Sequence, residues 1–252
     1  MRPFTGALID VDGTLLLGEV AIPGAAEAIA RLRTAGVPFL LTTNTTRRSR
    51  AEVAAALTRA GIPVAEAEVI VPSALARRHV VASGRTRALL LVPESAHPDF
   101  QGITLVEEAA DWVVVADLGP GFTFARLNGA FRCLREGAGL IALHRNPWWL
   151  AGPDDPRMDA GAFVAALEYA SGATAITVGK PAPAFYALAL EELGLPAGDV
   201  LVVGDDAEND GRGGQEAGCR TALVRTGKPL ESGLARLPRR PDLLVDSIAQ
   251  LW

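Results

Sequence analysis

Short apolar runs rich in β-branched residues alternate along the whole chain with longer Ala-, Leu- and Arg-rich stretches of helical period. A parallel sheet requires that alternation, because each strand must be returned by a crossover helix that also covers a face of the sheet. The pattern predicts strands over residues 4–9, 37–43, 88–92, 112–116, 140–144, 173–178, 200–204, 221–224 and 243–245. It predicts helices over residues 23–35, 49–60, 122–136, 161–170 and 183–193, the second opening on a Ser49/Glu52 capping box. Gly, Pro or Asp marks most strand ends, and the Pro- and Arg-containing segment after Gly227 is expected to wrap the surface before the last strand. The fold class is α/β, without internal repeats or low-complexity tracts.

Composition narrows the picture. With 252 residues and 49% hydrophobic content the chain can bury a sizeable core, as one large domain or two modest ones. The net charge is −5, the pI is near 5.3, and the arginines are scattered apart from pairs such as Arg47-Arg48 and Arg239-Arg240. No basic stripe matches a polyphosphate backbone, so no nucleic-acid partner is expected. Cys133 and Cys219 stand far apart without partners at zinc-ligand spacing and read as reduced core residues, and His79, His97 and His144 do not cluster. Any metal is therefore expected to be held by oxygen. Mean hydropathy is +0.23, yet the longest apolar runs, such as 88–93 and 112–116, fall far short of the roughly 20 residues a membrane span needs. Residues 1–4 show no signal-peptide pattern, so the expectation is a cytoplasmic protein with no membrane partner.

Candidate chemistry gathers at the predicted strand ends, where open parallel sheets bind ligands. The first strand runs into Asp10-Val11-Asp12-Gly13-Thr14, two carboxylates two residues apart beside a glycine that permits a sharp turn. One carboxylate can attack while the other handles a proton. The second strand ends in Thr42-Thr43-Asn44, a hydroxyl and an amide suited to phosphoryl oxygens. Gly179-Lys180-Pro181 sets a lysine at a helix start, where cation and helix N-terminus both favour an anion. Gly204-Asp205-Asp206, followed by Asp210, brings three acids into six residues, which suits a hard, oxygen-ligated cation such as Mg2+. Taken singly, each motif is also an ordinary turn or helix start. Their order, at the ends of separate strands, points to a catalytic site.

These four motifs resemble those of the haloacid dehalogenase superfamily: Asp10 to Thr14, Thr43, Lys180, and Gly204 to Asp210. The wider chain resembles the subfamily with a C2-type cap inserted between the second and third motifs, with further echoes in Thr43-Asn44-Thr45-Thr46, residues 166–170 and Thr226-Gly227-Lys228. The resemblance implies a Rossmann-like core of residues 1–76 and 178–252 and an α/β cap of residues 77–177. It implies an Mg2+-dependent phosphatase in which Asp10 attacks phosphorus and Asp12 is the general acid and then the base. Asp10, the Asp12 carbonyl and Asp205 would bind Mg2+; Asp10, Val11, Asp12, Thr43, Asn44 and Lys180 would hold phosphate; and Asp206 or Asp210 would reach a metal-bound water.

Specificity is expected from a cap loop running from His144, Arg145, Asn146, Trp148 and Trp149 to Asp159, the tryptophans either stacking on substrate or packing inside the cap. The partner is a small phosphorylated substrate, and the family adds a homodimer through the cap. Sugar phosphates, phosphoglycolate-like acids, pyridoxal phosphate, nucleoside monophosphates, pyrophosphate and N-phosphorylated amino acids all stay open. A dehalogenase needs neither Asp12 nor an acidic metal site, and a phosphonatase needs a cap lysine that residues 77–177 lack. A phosphotransferase and a non-catalytic phosphometabolite sensor remain as competitors.

Overall fold

The computed structural model describes residues 4–150 and 155–252. The chain forms two compact units: one of residues up to Thr43, Arg50–Ile70 and Lys180–Trp252, the other of Asn44–Ser49 and Val71–Gly179.

The first unit is built on a six-stranded parallel sheet in the order Leu243–Val245, Arg220–Val224, Val200–Gly204, Gly6–Asp10, Phe39–Thr42, Val69–Ile70. Its two central strands read GALID and VLVVG and are buried along their whole length, so they are continuously apolar rather than alternating. Helix Ala25–Thr34 buries Ala25, Ala28, Ile29 and Leu32, the spacing of a single helical face. Helix Pro183–Leu193 begins on proline and ends at Gly194 in the left-handed conformation. From Gly6–Asp10 the chain first adds strands on one side, and later adds Val200–Gly204 and its successors on the other. The order reverses between these two strands, and at such a switch point the connections diverge and leave a crevice beyond the carboxyl ends.

The second unit has a five-stranded parallel sheet in the order Ile176–Thr177, Gly139–Ala142, Trp112–Val115, Arg87–Leu91, Thr104–Leu105. Helices Phe124–Arg135 and Ala160–Ser171 are capped by Thr123 and Asp159 side chains, and Gly172 ends the second. Cys133, Leu134, Val164 and Leu167 pack on Leu89, Val113, Val115 and Leu140, and Phe122 stacks on Phe163. Trp148–Leu150 and Pro156–Met158 form an antiparallel hairpin.

Several elements differ from the sequence pattern. The strand expected over 173–178 shrinks to Ile176–Thr177, a sheet edge preceded by small residues that bury little. Helix Pro72–Ala82 was not anticipated, although Pro72 at its start and buried Leu75, Ala76 and Val80 carry a helical signal that Arg77-Arg78-His79 interrupts. The two-residue strands Val69–Ile70 and Thr104–Leu105 are too short to show a period. Among the described residues, no helix is long and apolar enough to cross a membrane.

Both thiols are free and buried, and burial pushes the Cys219 thiol up to about 11. Neither should react with a disulfide reagent in the native protein at about pH 8, while both should react once it is denatured. Rapid labelling of the native protein would contradict this packing.

Candidate active site

Asp10 is the last residue of the central strand, and its carboxylate is buried. Beyond it the backbone folds back at once: the Val11 carbonyl accepts the N–H groups of Leu15 and Leu16, each at 2.9 Å. Gly13 turns the chain with φ 86, a conformation that costs glycine little. Val11 points its side chain into the core and donates its N–H to the Thr42 carbonyl, 3.2 Å away. Asp12 faces outward and accepts the Thr43 hydroxyl at 3.0 Å. The Thr14 hydroxyl donates to Asp10 Oδ2 at 3.3 Å.

Lys180 Nζ lies between two buried acids, donating to Asp10 Oδ1 at 2.6 Å and to Asp210 Oδ1 at 2.7 Å. Asp205 follows directly on the neighbouring central strand, and its Oδ2 accepts the Lys228 N–H at 2.8 Å. That oxygen is seated between Gly13 and Gly227, where an added Cβ would stand 2.4 and 2.0 Å from it, so neither position has room for a side chain. Asp10, Asp205 and Asp210 each offer a carboxylate oxygen within 4.8 Å of the others.

Burial pushes the Asp10 carboxyl well above the usual range and raises Asp210. It also raises Asp205 to about 6, with Asp210 adding to the effect. For Lys180, burial opposes the charge, yet the attraction of Asp10 and Asp210 prevails and its pKa is raised well above normal. When all are ionised, three carboxylates face one buried ammonium, which leaves two negative charges. The donors are all oxygen, and this set fits a divalent hard cation such as Mg2+.

Asp206 is not part of this cluster. Its Oδ1 accepts the N–H groups of Glu208 at 2.8 Å and Asn209 at 3.0 Å, capping the π-type helical turn Ala207–Arg212. Its Oδ2 accepts Asn209 Nδ2 and the Lys228 ammonium. Burial works against ionisation, but Lys228 and these donors hold its pKa below normal. Asp210 stands beside Lys180 and offers a carboxylate oxygen within 4.8 Å of those of Asp10 and Asp205.

The remaining expected residues lie in the second unit. Asn44 approaches the Gly179 backbone, its Oδ1 2.9 Å from where a Cβ on Gly179 would be. His144 is buried: Nδ1 accepts the Asn146 N–H at 3.3 Å, Nε2 faces Asp159 at 3.6 Å, and burial lowers its pKa. Arg145 makes a two-pronged pair with Glu168 at 2.9 and 2.6 Å. Trp149 lies under the Arg47 guanidinium at 4.6 Å, and Arg47 also pairs with Asp117. Trp148 is 58% exposed and opposite Met158, itself 62% exposed. Thus His144 and Arg145 have partners within their unit, and Trp148 is exposed. Residues 151–154 of that loop lie outside the described residues.

Lys228 was missed as a site residue, although a signal existed. Lys180 and Lys228 are the only lysines among the chain's 24 Lys and Arg residues; one pairs with Asp10 and Asp210, the other with Asp206. Tyr186, buried behind the cluster and donating to the Asn209 carbonyl, carried no comparable signal.

A buried acid trio and a lysine at the switch point of a parallel sheet form the candidate active site of an α/β protein. Residues 7–103 match the family described as haloacid dehalogenase-like hydrolase, and residues 177–251 match the HAD-hydrolase-like family. Haloacid dehalogenase-like hydrolase domain-containing protein 2 of Bos taurus is 39% identical, over 98% of this chain and 93% of that protein. Phospholysine phosphohistidine inorganic pyrophosphate phosphatase of Rattus norvegicus is 35% identical, over 97% of this chain and 92% of that protein. The p-nitrophenyl phosphatase of Archaeoglobus fulgidus superposes with a TM-score of 0.91 at 26% identity, covering 99% of this chain and 98% of that one. The chain belongs to the haloacid dehalogenase-like hydrolase family and is an enzyme of its phosphatase class, with a Rossmann-like core and an inserted C2-type cap.

Two stability effects follow from the buried charges. Lys180→Met strands Asp10 and Asp210 without a counter-charge and should cost about 3–5 kcal/mol near neutral pH, read as a lower urea midpoint with an unchanged slope. An unchanged midpoint would show that the lysine does not balance the acids. Asp205, with its raised folded pKa, favours folding below its unfolded value, an advantage lost as pH rises through about 6. Asp205→Asn, melted in chelator, should therefore be neutral at about pH 4 and stabilising by on the order of 1–3 kcal/mol above about pH 7. A gain of equal size at both pH values would disprove the assignment.

Proposed function

We propose that this protein is an Mg2+-dependent phosphatase of a small phosphorylated metabolite, working through an aspartyl-phosphate on Asp10. The observation that carries the reading is the Asp10 carboxylate, buried at the sheet's switch point, 2.6 Å from a charged lysine and within an acid trio of divalent character. Asp10 Oδ2, which accepts the Thr14 hydroxyl at 3.3 Å, is the attacking oxygen, and Oδ1 stays with Lys180. In the first step Asp10 forms a bond to phosphorus as the leaving oxygen departs with a proton from Asp12. In the second, Asp12 takes a proton from water, which attacks phosphorus and releases Asp10 and phosphate. Thr43 orients Asp12 and, with Lys180, faces the phosphoryl oxygens. When bound, Mg2+ neutralises the phosphoryl group and relieves the repulsion among the acids. Asp10, Asp205 and Asp210 would hold it, with Asp206 kept to its capping role.

The division into a core of residues 1–76 and 178–252 and a cap of residues 77–177 is part of this proposal, and the composition of the two compact units supports it. Substrate choice then falls to the cap, with Trp148 the candidate whose side chain is not committed elsewhere. The names of the relatives place p-nitrophenyl phosphate, pyrophosphate and phospholysine first among substrates to test.

Phosphate release from such a panel should require Mg2+, stop with chelator, and fall at least about a thousandfold in Asp10→Asn while phosphate still binds. Turnover surviving in Asp10→Asn would end the covalent reading. Consumption of substrate without free phosphate, but with an acceptor phosphorylated, would make the enzyme a transferase.

A further inference from the structure

Asp206 adjoins Asp205 in the chain, and its own N–H donates to Asp210 Oδ2 at 3.2 Å, yet its carboxylate takes no part in the acid trio. A carboxylate has about four lone-pair sites. At Asp206 four donors fill them: the N–H groups of Glu208 and Asn209, Asn209 Nδ2, and Lys228 Nζ. Three of the donors belong to its own helical turn. The fourth, the one charged donor, arrives from 22 residues further along the chain. The same residue holds Asp205 Oδ2 with its backbone N–H. One lysine therefore keeps one acid in the cluster and the next acid out.

We infer that Lys228 is a positioning residue that sets the preference of this site for Mg2+ over Ca2+, by preventing Asp206 from becoming a fourth carboxylate ligand. The inference rests on the cation site proposed above. Mg2+ demands a tight octahedron and gives up its waters reluctantly, whereas Ca2+ accepts six to eight oxygens in flexible geometry. An added carboxylate thus benefits Ca2+ far more than Mg2+. Simple loss of a positive charge beside the site would strengthen both ions by one common Coulomb factor, so the ratio of the two affinities isolates the positioning effect.

The test is calorimetric titration of metal-free protein with Mg2+ alone and Ca2+ alone. In Lys228→Met the ratio of Ca2+ to Mg2+ affinity should rise roughly tenfold. Lys228→Arg, which keeps a cation, should hold the wild-type ratio, and adding Asp206→Asn to Lys228→Met should restore it. The Lys228 side chain is 61% exposed, so the variants should melt like the wild type. An unchanged ratio in Lys228→Met overturns the inference, as does a raised ratio that persists in the double variant. If the wild type binds Mg2+ and Asp205→Asn abolishes that binding, such a failure concerns Lys228 alone. If the wild type binds neither ion, the cation site and the inference fall together.

Discussion

The buried ammonium of Lys180 is the charge around which the site is organised. Its Nζ is shared between Asp10, at a strand end, and Asp210, in the helical turn that follows a neighbouring strand, two acids that would otherwise repel one another in a medium that screens little. A lone buried acid of this kind would protonate, and a lone buried lysine would lose its proton. Together they can stay charged, but the ammonium cannot balance Asp205 as well. The residual negative charge costs the folded protein stability, and on the proposed function a bound cation would relieve it. In the proposed function the same imbalance would draw in a cation and, with it, a phosphoryl group whose own charge three bare carboxylates would repel.

Backbone geometry permits that crowding. The central strands end side by side at the reversal of sheet order, so Asp10 and Asp205 need no long loops to meet. Gly13 and Gly227 leave the space in which the Asp205 carboxylate rests, and the Thr226 hydroxyl donates to the Gly13 carbonyl, tying the two turns together. Asp206 caps the helical turn that carries Asp210 back toward Lys180. Each acid thus has a different backbone task, which explains how three acids in six residues avoid competing for one position.

The sequence was most legible where physical demands were strongest. Doubly buried strands need unbroken apolar runs, so 200–204 and the other central strands could be read to within a few residues. Asp10, Lys180 and Asp205 stood at strand or helix ends where a rule about open sheets says to look. The distinction between Asp206 and Asp210 could not be read, because it depends on a π-type turn and on a donor from residue 228. Likewise, nothing local to His144-Arg145 announces that Asp159 and Glu168 will occupy them. Adjacent tryptophans on a strand must face opposite ways, but which one meets Arg47 is a tertiary fact.

The acids, the two lysines and Thr43, whose hydroxyl donates to Asp12, all come from the first unit, so the proposed reacting groups need no residue of the second. Within the second unit Arg47 pairs with Asp117, Arg145 pairs with Glu168, and buried His144 faces Asp159. On its hairpin, Trp148 and Met158 present an exposed apolar face. Phosphoryl chemistry needs fixed charges at fixed distances, whereas choosing among leaving groups needs surfaces that can change without disturbing those charges. On the proposed function, placing the first demand on doubly buried strands and the second on an exposed hairpin would let one set of reacting groups serve different substrates through changes confined to the insert.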